Sequence, residues 1–174
     1  MKLPENYPFK IDSSFGTIHF VDLIPIYGIT KRNSTIDDAL ADFFSIDISW
    51  VNSLLKIRNI LMKPFGLKGT NSEDTLQFFS KPFIPGEKAG FFTVKSRTTN
   101  EIVLYEADAH LNFYIYNTLL PANDGSYTYY CSTVVHYNNV FGKIYFFFVK
   151  PFHIIILKLM QKKAQRLFID KKKS

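Results

Sequence analysis

At 174 residues the chain has the length of one domain and can bury roughly two thirds of its unfolded surface. Aromatics make up 17 %, with 18 Phe and 10 Tyr, so much aromatic mass must enter a core, a pocket wall or a membrane-facing patch. A single Cys131 excludes an intrachain disulfide, and the net charge of +6 does not make a basic face. Residues 1–161 carry only +1, and the rest sits in Lys162, Lys163, Arg166, Lys171, Lys172 and Lys173 against Asp170.

That distribution argues against a nucleic-acid surface, while leaving weak contact with an anionic membrane through those six side chains. Residues 1–10 contain no apolar run of the signal-peptide kind, which makes a cytoplasmic location the expectation. The chain divides into a surface segment over 1–16, one domain over 17–169 and a basic tail over 170–174.

Thr17 to Ile26 reads as a first strand, ended by Pro25. Ser34 is positioned to cap a helix with Asp37 at the fourth place of a capping box, and Ile36, Leu40, Phe43 and Phe44 form its apolar stripe. Trp50, Leu54, Ile57 and Leu61 mark a second short helix, ended by Pro64 and Gly66. Residues 65–88 are irregular, with a short strand at Leu76 to Phe79, and have the length of a binding loop or lid.

From Ala89 the period becomes two. Gly90 to Ser96 and Glu101 to Glu106 make a hairpin, followed by strands over His110 to Leu119 and Tyr127 to His136, all antiparallel neighbours. Asn138 or Asn139 caps a long apolar helix that Pro151 is expected to kink or divide. Its length suits a membrane span, but Lys143, Lys150, His153 and Lys158 interrupt it at intervals costly in lipid. A helix buried against the sheet is therefore expected, apolar nearly all round because it is enclosed. Lying on a membrane surface is the alternative.

No sequence pattern spells out a metal site, a phosphate loop or a nucleophile with its base, so no cofactor and no metal are expected. His110 opens one strand and His136 closes the next, which puts both imidazoles at one end of the sheet. Glu106, Asp108 and His110 alternate, and Asp108 beside His110 has the makings of a general base held by a carboxylate. Arg58 has two readings, a salt bridge to an acidic loop residue such as Glu73 or Asp74, or an anchor for a carboxylate or phosphate head group.

Four blocks carry a resemblance: Trp50 and Leu54 to Asn59 with Pro64 to Lys68; Pro85 to Phe92 with Glu101 to Leu104; Asp108 to Phe113; and Thr133 to Tyr145 with Lys150 to His153. Together they resemble a bacterial family known only as a domain of unknown function, whose members occur alone or fused behind short-chain-dehydrogenase-like modules. The resemblance implies the helix-grip layout of the START and polyketide-cyclase-like superfamily, an α+β fold in which a curved antiparallel sheet wraps a long C-terminal helix. It directs attention to Arg58, Asn59, His110 and Asn138.

The function expected on these grounds is binding of a small apolar or amphipathic molecule between sheet and helix. Arg58, Asn59, His110, Phe113, Tyr129, His136, Asn138 and Tyr145 would line the site. Two alternatives stand beside it: a cyclase, isomerase or hydrolase using His110 and Asp108, with His136 a further candidate, and a non-catalytic structural or membrane-surface protein. An exposed apolar stripe on the last helix would favour the third.

Overall fold

The computed structural model describes residues 8, 10–12, 15–29, 35–45, 82–90 and 92–170. The expected second helix, with Trp50, Arg58 and Asn59, and the expected strand Leu76 to Phe79 lie outside the described residues. In chain order the elements are β1 (Phe20–Val21), β2 (Ile24–Ile29), α1 (Ile36–Ser45), β3 (Lys88–Ala89), β4 (Phe92–Arg97), β5 (Glu101–Ala107), β6 (Leu111–Pro121), β7 (Tyr127–Tyr137) and α2 (Val140–Asp170). The strands form one curved antiparallel sheet in the order β1-β7-β6-β5-β4-β3, with β2 also paired to β7. The long α2 packs against this sheet, as the α+β expectation requires.

The expected first strand is two strands. Asp22 interrupts the ladder: its carboxylate, in place of a backbone carbonyl, accepts the Thr133 N–H at 2.7 Å, while its own carbonyl accepts the Ser132 hydroxyl. Pairing resumes at Ile24 and runs through Pro25, which faces Tyr130, so the proline does not end the strand. Proline is tolerated there because β2 is an edge strand. Gly28, at φ 75°, lies in the register shift between Ile26 and Ile29.

The cap of α1 sits one residue later than expected. Thr35 and Asp38 form the reciprocal box: the Thr35 hydroxyl accepts the Asp38 N–H at 3.2 Å, and Asp38 accepts the Thr35 N–H at 3.1 Å. This frees Asp37, which takes Arg97 of β4 at 2.7 Å and the Phe83 N–H at 3.3 Å, tying α1 to the far side of the sheet. Burial alone would raise the Asp37 pKa, but its bonds to Arg97 and Phe83 hold it below the usual carboxylate value.

Period two places alternate residues of β5, β6 and β7 on opposite faces. The inner face carries Ile102, Leu104, Ile115, Leu119 and Tyr129, and packs on the Ile36, Leu40, Phe43 and Phe44 stripe of α1 and on Leu157, Met160, Ala164 and Phe168 of α2. A second cluster of Phe20, Leu111, Val135 and Phe146 seats the upper half of α2. On the outer face Phe15 packs with Val21, Val103, Tyr116 and Val134, and Ile11 and Ile18 lie against the same cluster.

The chain runs through Pro151 as one 31-residue helix, roughly 46 Å long, so the proline does not divide it. Pro151 lies on the exposed side, next to exposed Phe147 and Phe148, where a lost backbone bond opens to solvent. The expectation of an enclosed helix fails. Only 17 % of the most apolar stretch of α2 is buried.

Candidate functional site

The site residues anticipated from sequence fall into separate places. At the N-terminus of α2, Asn139 is the cap: its side-chain oxygen accepts the Gly142 N–H at 3.0 Å. Its amide donates to the Ala109 carbonyl, the Asn138 amide donates to the Asp108 carbonyl and to Asn112, and the Asn138 N–H donates to the His110 carbonyl at 2.8 Å. These bonds clamp the helix start onto the β5–β6 turn. Gly142 is required there, because a Cβ would collide with the His110 carbonyl.

His110 is buried inside this clamp, with its ring edge-on to Phe141 at 4.8 Å. Its Nε2 is 3.6 Å from Asp108 Oδ1, too long for a hydrogen bond, and has no hydrogen-bond partner. That Asp108 oxygen instead accepts the Ala109 N–H at 2.6 Å. Glu106, the third member of the expected acid–acid–imidazole grouping, turns away to Lys88 at 3.4 Å.

His136 goes to the outer face. It bonds the Thr17 carbonyl through Nδ1 at 2.7 Å and lies edge-on to Phe15, so the two strand-end histidines share a sheet end without sharing a partner. Tyr129 is fully buried, and its hydroxyl donates to Asn117 at 2.7 Å. Burial pushes its phenol well above the ordinary value. Phe113 lies edge-on to Phe92 at 5.7 Å, and Tyr145 is half-buried beside Phe146.

No local pattern signals the polar contacts that seat α2 along the β1–β2 edge. His153 Nε2 lies 2.7 Å from Asp22 Oδ2. Lys150 holds its ammonium 5.1 Å from the centre of the Phe20 ring, at cation–π distance. Farther along, the Gln161 amide donates to the Pro25 carbonyl at 2.9 Å. The Gln165 amide both donates to the Tyr27 carbonyl and accepts the Tyr27 N–H. These glutamines satisfy backbone groups that an edge strand leaves open.

Opposite that seated face runs a second apolar stripe. Ile144, Phe147, Phe148, Phe152, Ile155 and Leu159 are all exposed, Phe147 at 73 %. At 100° per residue they share one side, over about four turns and ~22 Å. The same side then turns basic through Lys158, Lys162 and Arg166, with Lys163 close by. Among the described residues no group of three or more His, Cys, Asp or Glu is placed to hold a metal ion.

Residues 14–160 match the family model described as protein of unknown function (DUF2867). The chain belongs to that family. No curated protein and no solved structure matches it. The DUF2867 match takes in the whole described sheet, the α2 clamp, the exposed apolar stripe and Lys158, and leaves Lys162, Lys163 and Arg166 beyond it.

Proposed function

We propose that this DUF2867 protein is a non-catalytic membrane-surface module that lays α2 along an anionic leaflet, on the cytoplasmic side. The exposed stripe from Ile144 to Leu159 carries this reading, because contiguous apolar surface of that extent is uncommon on a soluble monomer. Seven-residue spacing keeps Lys143 and Lys150 at one flank of the stripe, as in helices that lie in the interface plane. The cationic end at Lys158, Lys162 and Arg166 complements anionic lipid, at about 1 kcal/mol per cation near the surface.

Lying is favoured over spanning. The bonds of His153, Gln161 and Gln165 to the β1–β2 edge tie the inner face of α2 to the sheet, and crossing would break them. Kinship with the START and polyketide-cyclase-like superfamily is part of the proposal, supported by the order of sheet and long final helix. Full burial of Phe43, Tyr129 and Met160 in the main core weighs for surface docking over a guest molecule held there.

The test is sedimentation with phosphatidylcholine vesicles, with and without 30 mol % phosphatidylglycerol (a composition of roughly physiological charge). The protein is expected to pellet with the anionic vesicles and to be released by salt. Phe147→Gln with Ile155→Gln is expected to weaken pelleting about tenfold or more. Wild-type protein that stays in the supernatant at low salt contradicts the proposal.

A further inference from the structure

We infer that the flank of α2 beside β1 seats a lipid headgroup, with its phosphate held between Lys143 and Lys150 over an aromatic floor of Phe20 and Tyr137. The inference rests on the membrane-surface reading and adds where, and by what chemistry, the lipid is gripped.

The two lysines are seven residues apart, hence on one side of the helix and roughly 10 Å apart along its axis. They sit about a third of a turn round from the centre of the apolar stripe. When the stripe enters the acyl boundary, that flank lies at headgroup level, where lysine side chains extend toward phosphate. Over the same turns the other flank carries Tyr145, Val149 and Ile156 and no cation, so the charge is one-sided.

Beneath the lysines the floor is continuous. Lys150 lies over Phe20, Phe20 meets Phe146 at 5.0 Å, and Phe146 meets Tyr137 at 5.7 Å. His19 stacks on Tyr137 at 4.5 Å and accepts the Tyr137 N–H through Nδ1, with its ring held in place. Burial, then the charge of His136, and after these Lys143, hold His19 below the ordinary imidazole value. Lys143 is thus within electrostatic reach of that ring. His153 closes the other end. Asp22, between β1 and β2, bonds His153 through one oxygen and accepts the Thr133 N–H through the other.

The experiment follows the imidazole NMR signals of His19, His153 and His110 in the full chain. Dihexanoyl-phosphatidylglycerol is titrated as monomer, and inorganic phosphate is titrated in parallel. Shifts at His19 and His153, absent at His110, are expected at lipid concentrations at least tenfold below those needed with inorganic phosphate. They should disappear in the Lys143→Gln, Lys150→Gln double variant, whose fold is checked by circular dichroism since both side chains are exposed. Silent histidine signals, equal potency of inorganic phosphate, or shifts that survive in the double variant overturn the inference. If wild-type protein pellets with anionic vesicles while those signals stay silent, only this inference fails. If it does not pellet, the membrane-surface reading fails with it.

Discussion

Replacing Gly142 with alanine tests how closely α2 is seated on the β5–β6 turn. The new Cβ would lie far inside van der Waals contact with the His110 carbonyl oxygen and 2.8 Å from its carbonyl carbon. Both are backbone atoms, so no side chain can rotate away. The first turn of α2 must retreat by roughly 1.5 Å to restore ordinary contact. That displacement strains the Asn138 N–H bond to the His110 carbonyl, the Asn138 amide bond to Asp108 and the Asn139 amide bond to Ala109. Losing three such bonds costs about 3 kcal/mol, against a gain of about 1 kcal/mol from the better helix propensity of alanine. The expected net loss is about 2 kcal/mol, or about 4–8 °C in Tm for a domain of this size. Urea and thermal unfolding measure it, with Val140→Ala as comparator, because Val140 is 73 % exposed and its truncation should change stability by less than about 0.5 kcal/mol. A Gly142→Ala protein as stable as the wild type would refute the seating argument.

Tyr129→Phe leaves the Asn117 oxygen without its donor in a fully buried position and should cost about 1–3 kcal/mol, read as a lower urea midpoint; an unchanged midpoint speaks against that bond. Asp37 has a depressed pKa, so the stability it supplies is present above the ordinary carboxylate value and is lost as pH falls through its folded value. Asp37→Asn should therefore flatten the acid limb of stability against pH and cost about 1 kcal/mol at neutral pH, which urea midpoints across the acid range decide. His19 also titrates low, mainly through burial: folding favours its neutral form, so the wild type should lose stability as pH drops below about 6.5, and His19→Gln should remove that slope. Burial, with the Asp22 charge beside it, pushes the Cys131 thiol well up, so Ellman's reagent should label it only after denaturation; rapid labelling of native protein contradicts the burial.

Local patterns were legible where one physical effect governed them. The strands from Phe92 to Tyr137 were legible because alternate side chains go to opposite faces, one meeting the helices and the other meeting Phe15 and Val21, and the α1 stripe follows period 3.6 because one side of that helix is buried. The cap of α1 was displaced because Asp37 has a stronger partner in Arg97, 60 residues away, which no local motif reveals. The break between β1 and β2 depends on Asp22 replacing a ladder carbonyl opposite Thr133, again a distant event.

For the same reason the His153–Asp22 contact, 131 residues apart in sequence, left no mark, and His153 read only as an interruption of an apolar run. The largest misreading concerned α2. Apolar residues on both sides of a helix look alike whether both are buried or one is bare, and composition alone cannot separate a clasped helix from one that offers its outer side to a partner. The expected His110–Asp108 proximity exists, but as part of a clamp made by Asn138 and Asn139, and the sequence showed the ingredients without the bonding.

Site-directed spin labelling tests docking of α2 most directly. Ile155→Cys carries the nitroxide, since native Cys131 is buried, and Lys95→Cys on β4 serves as a reference position. With anionic vesicles present, the label at 155 should gain collisions with oxygen and lose collisions with a polar nickel chelate, while the label at 95 stays accessible to the chelate. A label at 155 that remains open to the chelate in pelleted protein would contradict docking through the outer face of α2.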